Sequence, residues 1–204
     1  KVALDPNGGT AGSKTQVAAT YDSLLPLITG QGELPTKEGY VFQGYFDASM
    51  GGTQYYYADG SSAKNWDKTD TSPKLYAHWS AREYTVSLNQ NQGTGGSTSV
   101  KAIFDSPMPT EGIIMPYRTG YSFGGYFDME DFTDPNAKQY YDKDGKSVRI
   151  WDKALDNQVL YAKWTANQYK VALDPNGGTA GSKTQVDATY DFPMPAITEQ
   201  GELP

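Results

Sequence analysis

The stretch "EGYVFQGYFD" (Glu38–Asp47) returns as "TGYSFGGYFD" (Thr119–Asp128), and its alternation of residues at period two predicts a β-strand in both places. One face of this strand in the first copy carries Tyr40, Phe42, Gly44 and Phe46. Tyr45 has the opposite parity, as does its counterpart Tyr126. We therefore expect Tyr45 and Tyr126 to be exposed or to lie at an inter-domain contact.

This strand belongs to a long internal repeat. The segment "KVALDPNGGTAGSKTQV" (Lys1–Val17) recurs letter for letter at Lys170–Val186, and a looser copy begins at Tyr84. The period of roughly 80–85 residues is above the range of solenoid repeats, so each copy should be a small domain with its own core. The sequence predicts repeat 1 at residues 1–79, repeat 2 at residues 84–164 and the N-terminal part of a truncated repeat 3 at residues 169–204.

The segments between repeats are short. Neither Ser80–Tyr84 nor Thr165–Tyr169 contains Gly or Pro, so neighbouring domains should be held in a fairly fixed relation. Both ends of the chain fall inside a repeat, and we expect it to be a piece of a longer protein. The segment after Tyr169 lacks the later strands of the repeat, so its order should depend on packing against repeat 2 or another molecule.

Turns and strands follow each other within a copy. Asp5–Gly9 ("DPNGG") reads as a turn. Pro26 interrupts the apolar segment Leu24–Ile28, which can supply at most a short helix or a buried loop. The succession β-β-(short helix)-β-β-β predicts an α+β, mostly β domain, with a β-grasp-like (ubiquitin-like) arrangement in tandem.

Charge and composition exclude several functions. A net charge of -7 and a pI near 4.7 argue against binding nucleic acid or acidic membrane surfaces. The absence of cysteine excludes disulfides, thiol catalysis and Cys-ligated zinc. His78, the single histidine, is replaced by Lys163 in repeat 2, which indicates an exposed position on an edge or end strand. We therefore predict no enzyme activity and no cofactor.

Two acidic segments are candidates for calcium sites. Asp128–Asp134 and Asp142–Gly145 supply carboxylate oxygens, but the ligand spacing of an EF-hand loop does not follow. Turn formation is the better interpretation of both segments.

Aromatic residues are the main enrichment. The candidates for a ligand-binding or inter-domain contact are Tyr45, Tyr126, Trp66 and Trp151. The alternative is that these side chains form the core and the domain seams of small domains without disulfides. Phe42 and Trp79 are expected in the core under either interpretation.

Several spaced motifs resemble a known family. The chain has "DPNGG" at Asp5–Gly9, "GYVFQGYF" at Gly39–Phe46 and "LYAHW" at Leu75–Trp79, and repeat 2 carries the last two as "GYSFGGYF" and "LYAKW". It departs at "NQNQG" (Asn89–Gly93) and in having Tyr45 where a tryptophan is usual. The pattern is similar to the Listeria–Bacteroides repeat domain, which includes the B-repeat of listerial internalins.

The resemblance implies a β-grasp-like domain in tandem on a secreted or surface-anchored bacterial protein, and it does not imply a catalytic activity. We expect a non-enzymatic stalk or spacer that supports adhesion, located outside the cell or at the bacterial surface. Its expected partners are neighbouring repeats and a host or bacterial surface protein or glycan. The alternative is a module that recognises host or cell-wall glycan or protein through exposed Tyr and Trp. The specific ligand, oligomeric state and any internal crosslink are left open by the sequence.

Overall fold

Strands alone make up the regular structure of the described part of the chain. The computed structural model describes residues 1–197, which form twelve β-strands and no helix. The chain divides into two compact units. The first comprises Lys1–Tyr84 together with Ile103–Ser106 and Trp151–Leu155, and the second comprises the rest of the described residues.

The first sheet has five strands in the order β2-β1-β5-β3-β4. The strands are β1 (Val2–Asp5), β2 (Gln16–Val17), β3 (Tyr40–Phe46), β4 (Gln54–Tyr56) and β5 (Lys74–Ala81). β1 and β5 are parallel, and the other neighbours are antiparallel. Val2 and Leu4 are buried while Ala3 is exposed, as a half-buried strand requires. The core lies on this face, against Leu25 and Ile28.

The second sheet repeats this arrangement in the order β7-β6-β10-β8-β9. Its strands are β6 (Glu83–Asn89), β7 (Ser99–Ile103), β8 (Tyr121–Phe127), β9 (Gln139–Tyr141) and β10 (Val159–Ala166). β6 and β10 are parallel, as β1 and β5 are. Two last strands, β11 (Gln168–Ala172) and β12 (Gln185–Thr189), form an antiparallel pair. The segment 198–204 of the predicted third repeat lies outside the described residues.

The predicted α+β, β-grasp-like fold is wrong, because the described residues contain no helix and the architecture is all-β. The segment Leu24–Ile28, for which the sequence permits a short helix, is not helical and is anchored to distant residues. Ile28 N–H donates to the Gly60 carbonyl at 3.0 Å, and the Tyr56 hydroxyl donates to the Pro26 carbonyl at 2.7 Å. These bonds replace the i to i−4 ladder that Pro26 could not complete. The division at residues 1–79, 84–164 and 169–204 stays a prediction.

A β-bulge sits in the stretch that first identified the repeat. The pairing of β3 with β5 shifts by one residue between Phe42 and Gly44. The extra residue reverses the side-chain parity beyond it, so Phe42 and Tyr45 point to the same side of the sheet. Their rings meet edge-on with centroids 5.2 Å apart.

Candidate functional site

The start of β3 contacts a distant part of the sequence within the first unit. The Tyr40 ring meets the Phe104 ring edge-on at 5.6 Å, and the Tyr40 hydroxyl donates to Asp105 Oδ2 at 3.1 Å. Arg82 N–H donates to the Gly39 carbonyl, and Phe104 N–H donates to the Arg82 carbonyl, each at 2.9 Å. We call these five residues the first clasp. All of them lie in the first unit, although Phe104 and Asp105 belong to the predicted repeat 2.

The second unit contains the same contact one repeat later. Tyr121 and Tyr190 meet edge-on at 5.6 Å, and the Tyr121 hydroxyl donates to Asp191 Oδ2 at 3.3 Å. Asn167 N–H donates to the Gly120 carbonyl, and Tyr190 N–H donates to the Asn167 carbonyl, each at 2.9 Å. These five residues are the second clasp. The two clasps have the same hydrogen bonds and ring geometry, which indicates that this contact is a specific feature of the repeat.

The glycine of each clasp is required by its backbone and by its neighbour. Gly39 has φ +74° and Gly120 has φ +77°, in the left-handed region that side chains disfavour. A Cβ added at Gly39 would lie 2.3 Å from the Phe104 ring, and one added at Gly120 would lie 2.3 Å from the Tyr190 ring. The aromatic ring of the next repeat therefore packs directly on bare backbone.

A cation lies over each clasp tyrosine. Lys37 Nζ is 4.0 Å from the centroid of the Tyr40 ring, and the Arg118 guanidinium carbon is 3.8 Å from that of Tyr121. Loss of hydration raises the pKa of Tyr40, and the Asp105 carboxylate raises it further. The hydroxyl of Tyr40 is therefore protonated at neutral pH and can donate its hydrogen bond to Asp105.

The aspartate of each clasp sits in a turn that is present in all three repeats. Asp22, Asp105 and Asp191 have φ values of 58°, 59° and 63°. In repeats 1 and 2 a tryptophan backbone holds this turn: Asp22 N–H donates to the Trp66 carbonyl and Asp105 N–H to the Trp151 carbonyl, each at 2.8 Å. In repeats 1 and 2 the turn is therefore held by a backbone hydrogen bond to a tryptophan of the same repeat.

Trp66 and Trp151 are buried, with 5 % and 0 % of their surface exposed. The Trp66 ring packs against Tyr55 at 5.2 Å. Neither indole offers a face to a ligand, and the carbonyls of both residues support the clasp turn. An inter-domain role for these tryptophans remains a proposal.

Tyr45 and Tyr126 are also buried, with 1 % and 0 % exposed, so the prediction of an exposed surface is wrong. The β-bulge explains this, because it turns Tyr45 to the same side as Phe42. Burial raises the pKa of Tyr45 to about 12, with a further contribution from the Asp5 carboxylate, and raises the pKa of Tyr126 to about 12. Both tyrosines act as core residues.

A groove of about 510 Å³ opens beside the indole of Trp79 in the first unit. Its lining includes Asn7, Lys37, Tyr40, Met50, His78 and Trp79. Trp79 Nε1 donates to the Pro6 carbonyl at 3.0 Å, and Asn7 Nδ2 donates to the Ala77 carbonyl at 2.9 Å. Hydrogen bonds therefore fix this wall of the groove, whereas Met50 is 88 % exposed.

His78 lies in β5, between β1 and β3, and is half-buried, so the prediction of an exposed edge or end position is wrong. Its ring stacks on Phe46 at 4.0 Å, and Nε2 lies 2.9 Å from the Ala48 carbonyl oxygen. In repeat 2 the replacing Lys163 places Nζ 5.2 Å from the Phe127 ring centroid. Both side chains use the same phenylalanine position, by stacking in one repeat and by a cation–π contact in the other.

The acidic segments use their carboxylates within turns. Asp131 Oδ1 accepts from the backbone and hydroxyl of Thr133, and Asp142 Oδ1 accepts from the N–H groups of Asp144 and Lys146. No group of three or more metal-ligating side chains occurs in the part of the chain that the structure describes.

The clasp residues were missed as a site in the sequence. Their signal was present, because Gly39–Tyr40 recurs as Gly120–Tyr121, and Phe104–Asp105 has counterparts in Tyr21–Asp22 and Tyr190–Asp191. A repeated motif shows only that a position matters to the repeat, and the partner of Tyr40 lies 64 residues away, in the next repeat.

Known proteins share this sequence pattern. A family model described as the Listeria-Bacteroides repeat domain matches residues 1–78. A protein of Evansella cellulosilytica, whose name describes a Gly-rich membrane protein, is 31 % identical over 97 % of this chain and 20 % of its own length. Internalin H of Listeria monocytogenes is 29 % identical over 82 % of this chain and 26 % of its own length. The chain thus spans about a quarter or less of these relatives, and no solved structure matches it. The family prediction is confirmed: residues 1–78 belong to the Listeria-Bacteroides repeat domain family.

Proposed function

We propose that this chain is a non-enzymatic repeat module of a bacterial surface or secreted protein and acts there as a stalk or spacer that supports adhesion. The observation that supports it best is the clasp, since the same contact between consecutive repeats occurs at Tyr40 and again at Tyr121. A spacer of defined length needs the same contact at each junction between consecutive repeats.

Small-angle X-ray scattering of the full chain tests the spacer. A compact protein of this length has a radius of gyration of about 17 Å, and a spacer should give a clearly larger value and a narrow spread of conformations. A compact particle, or a broad ensemble of freely hinged domains, contradicts the proposal.

The relatives support a location outside the cell or at its surface. Two are named as membrane proteins and one as an internalin. No helix in the described part of the chain is long and apolar enough to cross a bilayer. Antibody labelling of intact cells that produce the parent protein, with permeabilised cells as the control, tests the location.

A ligand-binding role is the second candidate, and the groove beside Trp79 favours it. A glycan array and a pull-down of host and bacterial surface proteins with the full chain test this role. The informative variants are Lys37→Ala and His78→Lys. The second variant introduces the lysine that repeat 2 carries at the equivalent position, Lys163. Binding that both variants leave unchanged places the ligand elsewhere. A hydrolase screen on the full chain tests the non-enzymatic part of the proposal.

A further inference from the structure

The turn at Tyr21 and Asp22 in repeat 1 matches the clasp turns in backbone geometry. Asp22 has φ 58°, against 59° for Asp105 and 63° for Asp191. Each turn is closed by a backbone hydrogen bond of 3.2 Å, from Ser23 to Thr20, from Ser106 to Ile103 and from Phe192 to Thr189. The turn therefore has its clasp conformation before any partner is added.

The backbone N–H, the aromatic ring and the carboxylate oxygen that make contacts in the two clasps lack those contacts in the turn at Tyr21 and Asp22. We call Arg82, between β5 and β6, and Asn167, between β10 and β11, the connector residues. Phe104 N–H and Tyr190 N–H donate to the carbonyls of these connectors, whereas Tyr21 N–H has no hydrogen-bond partner among the described residues. Tyr21 is 64 % exposed, against 38 % for Tyr190 in the same local sequence "ATYD". Asn65 Nδ2 lies 3.4 Å from Asp22 Oδ1, while Oδ2, which corresponds to the acceptor in both clasps, accepts no hydrogen bond within residues 1–197.

We propose that Tyr21 and Asp22 form a docking surface for the Gly-Tyr segment of a further repeat of the same kind. The Tyr21 ring would pack on the bare glycine and beside the tyrosine, Asp22 Oδ2 would accept from the tyrosine hydroxyl, and Tyr21 N–H would donate to the connector carbonyl. Both clasps show this set of contacts, and an aromatic ring can lie 2.3 Å from the Cβ position only if that residue is glycine. The occupant is therefore a segment with the pattern of Lys37–Tyr40 or Arg118–Tyr121, followed by its connector.

This inference names the partner of the proposed spacer but does not depend on a mechanical role. The inference concerns a contact at one turn, and chemical labelling measures that contact. The spacer proposal concerns the dimensions of the particle, and scattering measures those. Either can fail while the other stands.

The experiment compares tyrosine nitration in the full chain with nitration in the full chain extended at its N-terminus by a copy of residues 83–169. In the extension Tyr169 precedes Lys1, as it precedes Lys170 in the chain itself. Tyr21 should react faster than Tyr190 in the original chain, and in the extended chain its rate should fall to that of Tyr190. Peptide mass spectrometry gives the rate at each tyrosine.

Two variants of the added copy keep the test selective. Tyr121→Phe removes only the hydroxyl, and Gly120→Ala places a methyl group where the Tyr21 ring should pack. Each should restore part or all of the Tyr21 rate, while the buried Tyr141 of the added copy stays unreactive and reports that it is folded. A Tyr21 rate that the extension leaves unchanged, with Tyr141 of the added copy protected, overturns the proposal.

Discussion

At the scale of single residues, two buried tyrosines in repeat 2 have opposite hydrogen-bonding states. The Tyr126 hydroxyl is buried and has no hydrogen-bond partner among the described residues, whereas the Tyr141 hydroxyl donates to the Pro109 carbonyl at 2.6 Å. The two rings are neighbours, with centroids 6.2 Å apart. Both side chains are fully buried, so the contributions of their hydroxyls can be compared.

We expect Tyr126→Phe to leave the free energy of unfolding unchanged or to raise it, because it removes an uncompensated buried polar group. Tyr141→Phe should lower the free energy of unfolding by about 1 kcal/mol, because it leaves the Pro109 carbonyl without its donor. Urea unfolding of both variants measures the difference. An equal loss in both would show that the Tyr126 hydroxyl is satisfied in solution.

The clasp glycine can be tested against a glycine of the same backbone conformation. Gly39 and Gly32 have φ values of +74° and +73°, but a Cβ at Gly32 would meet nothing within 4 Å. Gly32→Ala should lower the free energy of unfolding by about 1–2 kcal/mol through backbone strain alone. Gly39→Ala should lower it by about 1–3 kcal/mol more, because the methyl group displaces the Phe104 ring. Equal losses in thermal or urea unfolding would mean that the Phe104 ring is not held on Gly39.

At the scale of elements, the sequence predicted strands better than it predicted faces. Alternation located β1 and β3, and the repeat located their counterparts. The face of Tyr45 was predicted wrongly because a β-bulge adds one residue to β3. The sequence marks this bulge only by Gly44, which has φ +125°. The non-helical structure of Leu24–Ile28 was not predictable either, because its hydrogen bonds go to Gly60 and Tyr56, far along the chain.

The turn after β1 offers a pH test. Asn7 N–H donates to Asp5 Oδ1 at 2.9 Å and lowers the pKa of that carboxyl, and the Lys74 ammonium lowers it further, against a loss of hydration that raises it. A lowered pKa in the folded state stabilises the protein above the unfolded pKa of about 4. That stabilisation is lost as the pH falls through the folded value.

We expect Asp5→Asn to keep the fold, since Asn89 holds the same position in repeat 2 and accepts from Asn91 N–H at 2.8 Å. The variant should lose less stability than the original chain between about pH 5 and pH 2. Urea unfolding at a series of pH values measures this. Parallel pH curves for the two proteins would contradict a stabilising Asp5 carboxylate.

At the scale of the whole molecule, the repeat organisation was readable because identical segments stand far apart in the chain. The clasp was not readable as a contact, since Gly39 and Phe104 belong to different copies of the repeat. The structure adds that the first compact unit includes residues of both predicted repeats. The connector residue Arg82 links residues of the two predicted repeats, because its N–H donates to Gly39 and its carbonyl accepts from Phe104.

Arg82 therefore makes the clasp measurable in the full chain. Trypsin cleaves after arginine only when the local backbone opens, and the two hydrogen bonds of Arg82 should suppress that opening. Phe104→Ala removes the ring that packs on Gly39 and Tyr40, so cleavage between Arg82 and Glu83 should become several-fold faster. Tyr21→Ala is the matched control, because it removes the equivalent ring from a turn where that ring is 64 % exposed, and its cleavage rate should equal that of the original chain. If Phe104→Ala is cleaved no faster than Tyr21→Ala, the first clasp does not restrain the connector.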